Sequence, residues 1–150
     1  MSAFPTSLLT PSEGRVYGRV GDVGIEVAIK PFTLPGHEDQ GEVETALILE
    51  GIVLPSADLA HLAGKSYKFP VNPAPGYIDG SIYISHCHHP VDVTVIRFGE
   101  MSGEALAVEV EAVLDLEFEG LDDYVRTPWT FVTFITAQRA PGLGPPSANS

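Results

Sequence analysis

Alternation carries most of the information in this chain. Over residues 105–118, ALAVEVEAVLDLEF, every even position is apolar: Leu106, Val108, Val110, Ala112, Leu114, Leu116 and Phe118. The odd positions include Glu109, Glu111, Asp115 and Glu117, with Glu119 next in line. A helix of this sequence would scatter its carboxylates around the cylinder, whereas a strand gathers them on one face. The period of two therefore predicts an extended segment with one oily side and one acidic side. At ~3.3 Å per residue it would span ~46 Å, too long for a straight strand in so small a domain. A bend or bulge is expected at Ala112-Val113, where Val113 interrupts the polar face.

The same reading predicts strands elsewhere. GRVYGRV (14–20) and GDVGIEVAIK (21–30) form a hairpin that turns at Gly21-Asp22. Residues 31–42 are a loop punctuated by Pro31, Pro35, Gly36 and Gly41. Residues 43–53 are apolar on both sides in the middle, as in a central strand. One short helix is expected near 57–63, capped by Ser56, with Asp58 in its first turn and Gly64 at its stop. Short strands at 67–69, 77–86 (with a bulge at Gly80), 91–99 and 128–137 complete the set.

About seven or eight strands with one helix define an all-β fold, a two-sheet antiparallel sandwich or flattened barrel. It is expected as one domain over 13–138, preceded by a flexible arm (1–12) and followed by a disordered Pro/Gly/Ser tail (139–150). Trp129, Phe131 and Phe134 are assigned to its core, with Tyr77 and Tyr83 at the edge. Strand 128–137 and the 14–30 hairpin are placed at sheet edges, where pairing between subunits would give a homodimer.

Charge narrows the function classes. Twenty acidic residues face eight basic ones in 150, a net charge of −12. Such a surface opposes binding to nucleic-acid phosphates, which requires cations to replace counterions, and to an anionic membrane. The single cysteine, Cys87, makes no internal disulfide, and the N-terminus has no basic, apolar leader. A cytoplasmic location is expected. Between Glu100 and Asp123 stand nine acidic residues and no basic one.

Local chemistry is sparse. SHCHHP (85–90) holds the metal-ligand types His86, Cys87, His88 and His89. On a strand His86 and His88 share a face and would chelate zinc with a third ligand from His37, His61, Asp79 or Asp92. The competing reading is a polar strand end with exposed histidines and a buried cysteine. Cys87 as a nucleophile would need a distant base, His37 or His61. No GxSxG elbow, phosphate loop or dinucleotide fingerprint occurs. Carboxylates at strand spacing suit glycoside hydrolysis in distance, but that chemistry needs a cleft rather than an open face. EDQGE (38–42) and EGLDD (119–123) lack the calcium-loop spacing.

In composition and class the chain resembles small acidic β-rich bacterial proteins, including toxin-neutralising immunity proteins, a likeness that no motif carries. The leading expectation is a non-enzymatic protein that binds a basic macromolecule. Its surface would comprise Glu109, Glu111, Asp115, Glu117 and Glu119, edged by Asp122, Asp123 and Tyr124. The alternatives are a metal-binding protein or metal-dependent enzyme using His86 and His88, and a sugar- or lipid-binding sandwich with a concave apolar pocket.

Overall fold

The computed structural model describes residues 2–116 and 124–138. In chain order the elements are β1 (Ser2–Ala3), β2 (Pro11–Arg19), β3 (Asp22–Thr33), β4 (Glu42–Ile52), α1 (Leu59–Leu62), β5 (Ser66–Lys68), β6 (Asp79–Ile84), β7 (Cys87–Ser102), β8 (Ala105–Leu114), β9 (Tyr124–Val125) and β10 (Thr127–Ala137). The long strands pair in sequence order, β2-β3-β4-β6-β7-β8-β10, each antiparallel to the next. β10 then pairs with β2, so the sheet closes into a seven-stranded barrel, with β5 as an extra strand on β7. Every antiparallel step reverses chain direction, so a closed ring of odd number must contain one parallel pair. That seam is β10 beside β2, with Ile135 opposite Gly14 and Thr136 opposite Arg15. Thr133 Oγ1 donates to the Ser12 carbonyl at 2.8 Å, and Gln138 N to the Val16 carbonyl at 2.8 Å.

The fold is all-β, as the alternation predicts. Of the two expected forms it is the barrel, and its interior is filled. Leu106, Val108, Val110, Ala112 and Leu114 of β8 all point inward, as do Leu47, Leu49, Ile82, Ile96 and Ile135 from other strands. An eight-stranded barrel holds either packed side chains or one small ligand, and in this narrower one the buried aliphatic side chains take the space. The barrel ends are closed too. Asp58 caps α1 by accepting from Ala60 N at 3.0 Å, and Leu59 and Leu62 turn inward over one end. At the other end Phe4 is buried, donates its amide to Thr127 Oγ1 and packs edge-on against Tyr124. No helix among the described residues is long and apolar enough to cross a membrane.

Several expectations need correction. The expected N-terminal arm is part of the fold: Phe4 and Leu9 are buried and β2 begins at Pro11. The first hairpin turns at Val20-Gly21, since Arg19 already pairs with Asp22. β3 continues to Thr33 and absorbs Pro31 at an irregularity between Ile29 and Phe32. The helix cap is Asp58, while Ser56 Oγ accepts from the Asp58 amide. Gly80 is no bulge; its missing side chain makes room for the Val91 carbonyl, which a Cβ there would meet head-on. The irregularity expected in β8 sits across from it, in β7 between Val93 and Val95, opposite Ala112 and Glu111. Trp129 and Phe131 are core residues, but Phe134 lies on the outer wall at 48% exposure. The strands placed at edges are interior to the closed sheet, so the edge-pairing route to a homodimer is removed.

Candidate functional site

Because inward positions are filled, chemistry is left to the outer wall. On β8 the outward residues run Ala105, Ala107, Glu109, Glu111, Val113, all half-buried. Their neighbours on β7 are Gly99, Arg97 and Asp92, and on β10 Phe134, Val132, Thr130 and Pro128. Arg97 Nη1 donates to Glu109 Oε1 at 3.0 Å and also to Glu111 Oε2. One guanidinium thus spans two carboxylates separated by one residue, the natural spacing of a strand face. Hydrogen bonding to Glu111, together with the charges of both glutamates, lifts the Arg97 pKa above its ordinary value.

A second clamp lies at the β8 terminus. Arg126 Nη2 donates to Asp92 at 2.9 Å, and Arg126 Nη1 to Asp115 at 3.0 Å. The hydrogen bond to Asp92 leads the causes that raise the Arg126 pKa, with Asp115 adding to it. Three expected partner-binding carboxylates, Glu109, Glu111 and Asp115, are therefore held by internal arginines. The bridging cations come from just outside the acidic run, at 97 and 126. A surplus of acid remains: the described residues of β7, β8, β10 and their connections carry Asp92, Glu100, Glu104, Glu109, Glu111 and Asp115 against Arg97 and Arg126. Tyr124 is half-buried beneath the barrel, against Phe4. Glu117, Glu119, Asp122, Asp123 and the 139–150 tail lie outside the described residues.

The wall also carries apolar groups that the sequence reading did not assign to it. Val132 is 61% exposed and Phe134 48%, with Met101 nearby at 38%. Phe134 pairs with Ala107 on one side and Glu13 on the other, while Val132 pairs with Glu109. Parity within β10 was the missed signal. Trp129, Phe131, Thr133 and Ile135 form one face, which puts Val132 and Phe134 on the other.

The histidines are arranged differently from expectation. β6 and β7 are joined by the two-residue turn Ser85-His86, in which φ is +53° and +68°. Two positive φ values are the mark of a type I′ hairpin turn. His86 therefore belongs to the turn, whereas His88 lies on the strand, its ring 4.9 Å from that of Tyr83. The strand-face pairing of His86 with His88 does not occur. His89 is the buried histidine, fully enclosed with Nε2 at 2.9 Å from the Ile84 carbonyl. Cys87, expected to be buried, is partly exposed. His37 precedes the turn of helix at Glu38–Gln40, and His61 lies on α1 beside Asp58. Asp79, Asp92 and His88 line one depression of about 170 Å³, but among the described residues no three His, Cys, Asp or Glu side chains are placed to hold a metal.

A second cleft, about 270 Å³, opens where the β4–β6 ladder stops at Leu47 and Ile82, between Glu44 and Tyr83. There Thr45 Oγ1 takes the Tyr83 amide at 3.2 Å. These surface depressions are smaller than the ~300–1,000 Å³ typical of ligand pockets. No protein-family model matches this sequence, and neither a curated protein nor a solved structure matches it.

Proposed function

We propose that this is a non-enzymatic, cytoplasmic binding protein that engages a basic macromolecular partner through the outer wall of β7, β8 and β10. The observation that carries this reading is the excess of carboxylates on β7, β8 and their connections, six against two guanidiniums. Strand-borne groups keep their spacing without a folding cost on contact, and their field steers a cationic surface toward them. Arg97 and Arg126 hold the carboxylates in ordered positions, so a partner's arginine or lysine meets fixed acceptors. The filled interior favours an outer binding surface over an enclosed ligand site. An immunity- or inhibitor-like role, masking a basic surface of another protein, fits this arrangement.

The test is titration of the partner recovered by affinity capture and then purified. Affinity should fall steeply between low and high salt, and fall again when Glu109 and Glu111 are both changed to Gln. Binding that ignores salt and survives those changes contradicts the proposal.

A further inference from the structure

The barrel's outer wall holds a shallow trough between β7, β8 and β10. Its floor is Gly99 and Ala107: a Cβ on Gly99 would stand 3.2 Å from the Ala107 Cβ, so the two strands approach with almost nothing between them and solvent. Val132 lines one side, exposed Phe134 stands next to the floor as the cross-strand neighbour of Ala107, and Arg97 with Glu109 closes the lower end. The space is a shallow, open depression of about 230 Å³, which suits one or two apolar side chains rather than a separate small molecule. Exposed apolar groups clustered on one wall and rimmed by charge are a usual feature of protein-binding surfaces.

The rim supplies the sign. Glu13 stands beside Phe134 across the seam, Glu100 and Glu104 lie exposed at the β7–β8 hairpin, and Glu109 borders the floor. Three cations stand near this border. Arg97 is committed to Glu109 and Glu111, and Arg15, two residues along β2 from Glu13, pairs with Glu26. Lys65 lies exposed where its carbonyl takes the Phe98 amide, so Glu13, Glu100 and Glu104 outnumber the one lysine. An apolar floor with an acidic border complements a segment that presents a bulky apolar residue flanked by lysine or arginine. We infer that this trough receives a basic, amphipathic protein segment, its apolar side chain seated over Gly99 and Ala107 and its cations on the surrounding glutamates. The inference rests on the binding role proposed above and gives it a location and a partner chemistry.

Two peptides separate the contributions: one alternates lysine with phenylalanine, the other lysine with serine. Amide chemical shifts of the isotope-labelled protein report where each binds. The lysine–phenylalanine peptide should shift Gly99, Ala107, Val132 and Phe134 saturably, and bind about tenfold or more tighter than the serine version. Ala107→Leu fills the trough without changing charge, and Phe134→Ser removes the ring beside its floor; both side chains point outward. Each should remove most of that advantage and leave the lysine–serine peptide unaffected. Equal binding of the two peptides overturns the trough but leaves the charge-based reading standing. Equal binding of a serine–phenylalanine peptide at high salt overturns the basic occupant and counts against both. Shifts confined to other walls overturn the inference, as does a dimer of the free protein that Ala107→Leu dissociates.

Discussion

Replacing Gly14 by Ala tests the closure of the barrel. Gly14 is a buried β2 position at the parallel seam, opposite Ile135 of β10. A Cβ built there stands 2.9 Å from Ile135 Cγ2, 3.0 Å from the Glu26 carbonyl oxygen and 3.2 Å from Val27 Cγ2. Carbon contacts settle near ~3.5–4.0 Å, so both flanking strands must shift to admit the methyl. Overpacking of this kind costs about 1–3 kcal/mol. Removing a glycine restricts the unfolded chain and returns about 0.4–1 kcal/mol. The net expectation is a destabilisation of up to about 2.6 kcal/mol, or a fall in Tm of up to about 10 °C for a domain of this size. Urea unfolding followed by Trp129 fluorescence measures it, since Trp129 is the only tryptophan and is buried. Ile135→Ala alone costs about 2–5 kcal/mol. The double variant should be less destabilised than the two changes added, by about 0.5–3 kcal/mol, because the new methyl fills the vacated space. In an unclosed sheet the Glu26 and Val27 contacts from β3 would remain, but Ile135 would lie elsewhere and its truncation would make no room for the new methyl. Strictly additive costs in the double variant therefore refute the seam.

Further expectations follow from other parts of the wall. Arg126→Ala leaves Asp92 and Asp115 facing each other; with Arg126 half exposed, the loss should be about 1 kcal/mol at low salt and shrink as salt rises, read by urea midpoints. Ser85→Asn with His86→Gly suits two positive-φ turn positions and should raise stability by about 0.5–1 kcal/mol; a loss would contradict the turn assignment. The Tyr17 phenol is held above its ordinary value, first by burial and then by the charges of Glu50 and Glu26. A folded-state pKa that is raised gives stability fully present below the unfolded value and lost as pH climbs through the folded one. Stability should therefore decline above about pH 10, and Tyr17→Phe should flatten that alkaline decline. An unchanged alkaline limb in the variant would count against this placement of Tyr17.

What was legible in the sequence was whatever a local period determines. The strict alternation of 105–114 reported β8 and its inward set, because a half-buried strand must repeat every two residues. The short helix announced itself through Asp58, Leu59, Leu62 and Gly64, though the cap was assigned two residues too early, at Ser56. Barrel closure was hidden because the β2–β10 pairing joins segments about 120 residues apart, and a parallel seam has no turn sequence to mark it. The fate of the acidic face was hidden for a similar reason. Arg97 and Arg126 reach Glu109, Glu111, Asp92 and Asp115 across strands, which a scan of contiguous charge cannot detect. The histidine cluster misled because a strand was extended through Ser85-His86, and neither residue is the Asn or Gly that usually marks a two-residue hairpin turn.

Site-specific photocrosslinking tests the central claim most directly, because it asks which wall the partner touches. Val132 on β10 and Val20 in the first hairpin turn are almost equally exposed, at 61% and 64%, on different surfaces. A benzophenone side chain at position 132 should crosslink a discrete basic protein in low salt and lose it in high salt, while one at position 20 captures none. Equal capture from both positions, or capture from position 20 alone, contradicts a docking surface on β7, β8 and β10.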